Sequence, residues 1–403
     1  MIAKLGARVL KPLLRRLGIG TTQATGEART ASVKPVESNL GGGKSNDAED
    51  LYQRGTAALS AGNWSQAALM AQQAITAEPG LAAPQYLLGC CRMEQQEYGA
   101  GADAFARCLD LNPSYPLSLH ARTHHALCSA RFELERGAAP RVRVLSANET
   151  CSVSVIICSI DPVRFARVTA MYERLLAEVP HEIIGIHDAH SLCEGYNRGL
   201  RRARNDVVVF SHDDIEIVSA DFAARLLQSL ASHDVIGIAG TRKLMGAAWH
   251  LAGHPHLQGQ VGALAEGGGY LVPIYGVTQP ESGGLQALDG LFFAARRDIA
   301  RRIGFDEATF DGWHFYDLDF SFRAWIEGLD CATCNHLLIV HHLVGQYDEK
   351  WHKYALRFLD KHKGRVEPAL NHRTPEFVTA TVRSIAEWQL MTEHLIAGTG
   401  AAR

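Results

Sequence analysis

Asp206-Val-Val-Val-Phe-Ser-His-Asp-Asp214 decides the fold, because it is an apolar run of strand length that ends in adjacent carboxylates. The same kind of pattern stands on either side of it. Upstream, Val153-Ser-Val-Ile-Ile-Cys158 is a second short apolar run, and Phe165, Val168, Tyr172, Leu175, Leu176 and Val179 follow at helical spacing. Then come a strand-like segment, Glu182–His187, and a helix, Glu194–Arg204. Downstream, Phe222, Leu226, Leu227 and Leu230 mark a helix before Val235-Ile-Gly-Ile-Ala239. Strands alternating with helices at these lengths predict an α/β region with a parallel, doubly wound sheet.

In open α/β sheets, ligands bind beyond the carboxyl ends of the strands. The first strand here ends in Ser159-Ile160-Asp161, the second in His187-Asp188 and the third in Ser211-His212-Asp213-Asp214-Ile215-Glu216. Such a crevice is strongly acidic. Carboxylates a few ångströms apart repel one another and any anionic ligand unless a divalent cation sits between them. Asp213-Asp214 therefore reads as a metal site, against the plainer alternative of an exposed acidic turn.

The second half adds more motifs. Leu288-Asp-Gly-Leu-Phe-Phe-Ala-Ala-Arg-Arg297 is a strand entered through a turn, and Gly304-Phe-Asp-Glu307 leads to Phe310-Asp-Gly-Trp-His-Phe-Tyr-Asp-Leu-Asp-Phe-Ser-Phe-Arg323. An acidic pair at a strand end, a later Asp-Gly strand, Gly-Phe-Asp-Glu and an Asp-x-Asp-x-x-x-Arg helix ending in Gly328 together resemble glycosyltransferase family 2. Within it, Glu194-Gly-Tyr-Asn-Arg-Gly199, His212-x-Asp214, Asp289-Gly290 and Trp313-His-Phe-Tyr-Asp317 most resemble the streptomycin-biosynthesis-type subgroup. The resemblance covers about residues 150 to 360.

That resemblance implies a GT-A fold, a Rossmann-like, mostly parallel sheet flanked by helices, over residues 150–365. It implies an inverting, metal-dependent enzyme that moves a sugar from a nucleotide-sugar donor to a hydroxyl of a saccharide, lipid-linked or protein acceptor, as in bacterial surface-polysaccharide or glycoprotein assembly. Asp214 would bind Mg²⁺ or Mn²⁺ at the donor diphosphate, with Asp213 beside it on the ribose or supporting side. Ser159, Asp161 and Asp188 fall where the family holds the nucleoside, and Asn197 lies on the helix that follows. Asp289, Gly290 and Trp313 would meet the donor sugar or acceptor, and Asp317 would take the acceptor proton. His341, near the end of Leu337-Leu-Ile-Val-His-His342, would complete the metal shell. His212 and Tyr316 depart from the usual family pattern, which has Asp and Glu there.

The chemistry gives each part a reason. A departing nucleoside diphosphate needs its charge neutralised, which a metal ion provides. A base on the opposite face contributes about 10²- to 10⁴-fold, and direct attack inverts the anomeric carbon. Asp319 is the alternative base, but it is placed to cap its helix or to pair with Arg323 one turn on. Successive strand residues point oppositely, so only one of His341 and His342 faces the ligand. Trp313 either stacks on a sugar or fills the core. Trp249, His250, His254 and His256 belong to an irregular Gly-rich stretch, Gly246 to Gly269, expected on the acceptor side. Cys331-x-x-Cys334 has no second cysteine pair, so it reads as buried thiols rather than a zinc site.

Working outward, residues 47–137 repeat with a period of 34. Gly55 and Gly89, Trp64 and Tyr98, Ala68 and Ala102, and Pro79 and Pro113 recur at that spacing. This resembles the tetratricopeptide repeat, an all-α module that serves either as a surface for a protein partner or as a spacer. A third stretch, from about Pro116 to Gly137, lacks the glycine and reads as a degenerate terminal repeat or a capping helix. Residues 21–46 lack large apolar side chains and read as a tether. Residues 1–20 carry Lys4, Arg8, Lys11, Arg15 and Arg16 opposite Ile2, Leu5, Val9, Leu13 and Leu17. Such a helix either lies in an anionic headgroup layer or docks on the protein. Residues 366–403 are expected to form a helical extension, with a helix from Pro375 to Ile396.

The whole chain has 403 residues, 47% of them hydrophobic, and a net charge of −3, which argues against wholesale nucleic-acid binding. Nine irregularly spaced cysteines point to a reducing, cytoplasmic compartment. No run approaches the roughly 18 apolar residues of a membrane span. Two rival readings stay open. One is a non-catalytic scaffold with a degenerate glycosyltransferase domain. The other, a nucleotidyltransferase, wants a Gly-rich phosphate loop that Cys158-Ser-Ile-Asp-Pro-Val-Arg164 does not supply.

Overall fold

The computed structural model describes residues 45–142, 151–342, 348–367 and 377–398, so the basic segment 1–20 and the tether as far as residue 44 lie outside the described residues. The chain divides into two compact units, one of which is Gly137–Gly398.

The described part of the other unit consists of helices α1 (Ser45–Ser60), α2 (Trp64–Ala77), α3 (Ala82–Glu94), α4 (Tyr98–Leu111) and α5 (Ser118–Glu135), each packed on the next. Where a degenerate third unit or a capping helix is expected, the structure has the single helix α5. The recurring glycines mark the tightest approaches. A Cβ at Gly55 would stand 2.8 Å from Leu87, and one at Gly89 would stand 2.8 Å from the ring of Phe105. Phe105, Cys91, Cys108 and Cys128 are fully buried among Ala67, Ala71 and Ala121. Small residues therefore stand where helices touch, and aromatic residues fill the gaps.

The second unit begins with β1 (Val153–Cys158), α6 (Pro162–Leu175), β2 (His181–Ile186), α7 (Leu192–Arg202) and β3 (Val207–Ser211). β1 pairs in parallel with both β2 and β3, so the three acidic strand ends come out on one edge. Further along are β4 (Ile215–Ile217), α8 (Phe222–Ser232), β5 (Val235–Gly237), β6 (Ala239–Thr241), β7 (Leu257–Gln260), β8 (Ala263–Leu264), β9 (Tyr270–Gly276), β10 (Glu281–Ser282), β11 (Ala287–Leu288) and β12 (Phe292–Arg296). The chain ends with α9 (Arg297–Ile303), α10 (Tyr316–Ile326), β13 (Cys331–Cys334), β14 (Ile339–His341), α11 (Glu349–Lys361), β15 (Val378–Val382) and α12 (Ile385–Ala397).

The main sheet has the order β10-β13-β5-β12-β3-β1-β2. Its strands β2, β1, β3, β5 and β13 run the same way, and β12 and β10 are reversed. β12 lies antiparallel between β3 and β5, and β10 closes the far edge antiparallel to β13. The reversal has a physical use, because it brings Asp289 and Gly290, at the entry to β12, to the same edge where β3 delivers its acids. Two apolar clusters cover the sheet. One is built on Phe210, Phe293, Phe305 and Phe320, the other on Tyr172, Phe222 and Phe292.

A second sheet, β11-β6-β7-β9-β15 with β8 beside β9, draws β7 and β8 from residues 246–269, the stretch expected to be irregular, while the residues before β7 are turns and a short 3-10 helix. Gly259, at φ +98, shifts the register there and lets β7 pair on both sides. The expected C-terminal helix is also corrected. Val378-Thr-Ala-Thr-Val382 alternates buried and exposed residues as β15, antiparallel to β9, and the helix begins only at Ile385. Ser384 caps it by accepting from Glu387 N–H. Its Trp388 is fully buried, with the indole donating to Gln260 at 2.9 Å. This segment is therefore woven into the second unit rather than appended to it. Among the described residues, no helix is long and apolar enough to cross a membrane.

Candidate metal and donor site

At the end of β3, His212, Asp214 and His341 present ligand atoms that all lie within 4.8 Å of one another. Local pairing puts them there. β14 lies antiparallel to β4 with His341 opposite Ile215, and the His342 N–H donates to the Asp214 carbonyl at 3.0 Å. The strand turn that carries Asp214 is thus fastened to the strand that carries His341. The Asp214 carboxylate lies 3.6 Å from His212 Nδ1 and 3.4 Å from His341 Nε2, while His342 turns toward Glu216 at 3.8 Å. Burial alone would raise the Asp214 pKa, but the two imidazoles hold it well below the usual carboxylate range. For His212, burial opposes the charged form, yet Asp214, Asp289 and Asp317 outweigh it and the pKa is raised.

Asp317 stands across this group, in the first turn of α10. Phe315, immediately before the helix, sits at φ +68, a region that a bulky side chain enters only when its surroundings compel it. Its ring is buried against Phe310, Trp351 and Phe358. That anchor turns Tyr316 and Asp317 inward. Asp317 stays partly open to solvent while protein surrounds it on most sides. Desolvation first, and the charge of Asp289 second, push its pKa up to about 7. Gly290 makes the fit possible, since a Cβ there would stand 2.6 Å from Asp317 Oδ2.

Asp319 has a different environment. Its carboxylate, 1% exposed, takes Arg323 Nε at 2.7 Å, Lys361 Nζ at 2.7 Å and His362 Nε2 at 2.8 Å. Burial would raise its pKa, but these three partners lower it. Three cations or donors therefore hold this carboxylate and tie α10 to α11.

The remaining sequence candidates fall into two groups. Ser159 and Asp213 are brought to the cluster, with Ser159 Oγ donating to Asp213 at 2.6 Å. Asp289 is at its rim, where its carboxylate accepts from Trp249 Nε1 at 3.0 Å and from the Leu291 N–H. Trp313 stands half-exposed before α10. Asp161 caps α6 by accepting from the Val163 and Arg164 N–H groups, and Asp188 is exposed and paired with Arg198 at 2.8 Å. Asn197 is not brought in, because its amide clasps the Phe305 backbone, donating to the carbonyl at 2.8 Å and accepting from the N–H at 2.9 Å. Cys331 and Cys334 are buried thiols in β13, and the described residues contain no other group of metal-ligating side chains of this kind.

Sequence reading undervalued three residues. His212 is a member of the cluster, Tyr316 contacts it at 2.6 Å, and Trp249 holds Asp289. The place of His212 two residues before Asp214, where the family pattern has Asp, is the signal for the first. The other two contacts join residues 104 and 40 positions apart.

The model of a glycosyltransferase-like family matches residues 154–362. The match spans just over half of the chain, and the chain belongs to that family. No curated protein matches it. Among solved structures, GalNAc-T7 with UDP, GalNAc and Mn²⁺ is similar at 12% identity and a TM-score of 0.38, over 53% of this chain and 48% of that one. The mannosyltransferase PcManGT from Pyrobaculum calidifontis, in complex with GDP-Man and Mn²⁺, is similar at 12% identity and a TM-score of 0.35, over 75% of this chain and 88% of that one. The chain thus spans about half the length of the first of these.

Proposed function

We propose that the protein is an inverting, metal-dependent glycosyltransferase that moves a sugar from a nucleotide-sugar donor to a hydroxyl of a saccharide, lipid-linked or protein acceptor. The observation that carries this reading is the pairing of two opposite electrostatic environments in one site. Asp214 is kept ionised between two imidazoles, while Asp317 is desolvated and beside Asp289. Family membership over residues 154–362 supports it independently.

The residues fit a divalent cation. Two imidazoles and one carboxylate form a mixed nitrogen and oxygen set, which suits Mn²⁺ better than the all-oxygen preference of Mg²⁺. Asp214, His212 and His341 would hold it, and when bound it would neutralise charge on a departing diphosphate. Asp213, fixed by Ser159, borders the nucleoside side. Asp317 accepts the proton of the acceptor hydroxyl as that oxygen bonds to the anomeric carbon. The bond from that carbon to the diphosphate breaks with its electron pair on the leaving group. A carboxylate with a pKa near 7 is well matched to this work at neutral pH. Attack from the face opposite the leaving group inverts the centre.

We read residues 47–137 as tetratricopeptide repeats that offer a surface to a protein partner or acceptor chain, on the strength of the 34-residue recurrence and the helix contacts at Gly55 and Gly89. The enzyme is read as cytoplasmic, with residues 1–20 reaching the inner membrane face.

The test is a screen of nucleotide sugars for Mn²⁺-dependent release of the nucleoside diphosphate, run beside Asp214→Ala and Asp317→Asn. Turnover by the natural protein that falls by at least about 10²-fold in both variants supports the assignment. Equal turnover in all three proteins contradicts it.

A further inference from the structure

Tyr316 is nearly fully buried, and its hydroxyl touches two groups. It lies 3.0 Å from the Gly290 carbonyl oxygen and 2.6 Å from Nε2 of His212. A phenol has one hydrogen, and a carbonyl can only accept. The hydrogen is therefore committed to Gly290, and toward His212 the Tyr316 oxygen acts as acceptor. It follows that Nε2 of His212 carries a proton. In a neutral imidazole the other nitrogen, Nδ1, then presents a lone pair. Nδ1 is the atom that faces the Asp214 carboxylate, at 3.6 Å, beyond ordinary hydrogen-bond length. A lone pair and a carboxylate oxygen at that separation could both ligate one cation.

We propose that Tyr316 is a positioning residue for the metal centre. Its hydroxyl, held by the Gly290 carbonyl, selects the His212 tautomer whose Nδ1 is free to ligate. This rests on the reading of His212, Asp214 and His341 as metal ligands and adds a residue that touches neither metal nor substrate. Hydrogen-bond partners of ligating histidines act in this way, fixing ring orientation and tautomer, and their loss weakens metal binding by about 10- to 100-fold. The same contact explains why Tyr316 and Asp317 are adjacent. One residue reaches the metal side of the cleft through His212, the next supplies the base, and Phe315 sets both.

The test uses the full chain and Mn²⁺ alone, with free Mn²⁺ followed by its electron paramagnetic resonance signal. The natural protein should bind one Mn²⁺, and Tyr316→Phe, with helical content unchanged by circular dichroism, should bind it about 10- to 100-fold more weakly. If the natural protein binds Mn²⁺ and Tyr316→Phe binds it equally well, the positioning role is overturned and the metal site stands. If the natural protein binds none, both fall. Should Tyr316→Phe not fold, ¹⁵N NMR of the natural protein with Cd²⁺ decides the matter. A protonated Nε2 and a ligated Nδ1 on His212 support the proposal, and ligation through Nε2 overturns it.

Discussion

Asp317 rests against Gly290 so closely that a Cβ on the glycine would stand 2.6 Å from its carboxylate oxygen. The Asp-Gly turn before β12 and the first turn of α10 are thus a matched pair, one shaped by lacking a side chain and the other by carrying an acid. Gly290→Ala should push Asp317 and Tyr316 away from the cleft. Displacing a catalytic group by about 1 Å costs on the order of 10²-fold. A fall of that size in turnover, with the fold retained by circular dichroism, is the expected result, and an unimpaired Gly290→Ala enzyme would show that the contact does not matter.

The raised pKa of Asp317 has consequences in two assays. Its folded value, about 7, lies above its unfolded value near 3.8, so the folded state binds the proton more tightly. Stability is therefore greatest below the unfolded pKa and declines as pH rises toward 7. Asp317→Asn removes that decline. In the cation-free protein it should gain on the order of 1–3 kcal/mol relative to the natural protein between pH 4 and pH 8, read by urea denaturation. Activity should move the other way. It should rise as Asp317 loses its proton, with a midpoint at or below about 7, because a bound cation lowers the pKa.

Asp319 fastens α10 to α11. It is buried with Arg323, Lys361 and His362 around it, and removing one member of such a group leaves the others uncompensated. Asp319→Ala should destabilise the protein by about 3–5 kcal/mol. The Asp319 pKa is lowered in the folded state, so its contribution is present above the unfolded value near 3.8 and is lost as pH falls through the folded one. Equal stability of Asp319→Ala and the natural protein at pH 7, measured by chemical denaturation, would refute this role.

Much of this arrangement could be read from the sequence, and the parts that could not share one cause. Val153–Cys158 forms a strand with the expected bounds, and β3 carries its acids to the expected edge, because periodicity and strand-end chemistry are local. Strand direction is not local. Nothing within Phe292–Arg296 reports that it runs antiparallel between β3 and β5, so this reversal cannot be read from the segment itself. Val378–Val382 falls inside the helix expected from Pro375 to Ile396, although its own alternation of apolar residues and Thr is a strand signature.

The site shows the same divide. Asp214 and Asp317 were legible as acids in telling places. The contact between His212 and Tyr316, the two departures from the family 2 pattern, was not. It joins residues 104 positions apart and exists only once α10 packs under the sheet edge.

The most direct test of the central claim is whether Mn²⁺ and a nucleoside diphosphate bind cooperatively through Asp214. Calorimetric titration with UDP and with GDP, each with and without Mn²⁺, should show tighter binding of one of them in the presence of the ion, by a factor of at least about 10. In Asp214→Ala that enhancement should vanish. Nucleotide binding that Mn²⁺ leaves unchanged, or an enhancement that survives the loss of Asp214, would contradict the account.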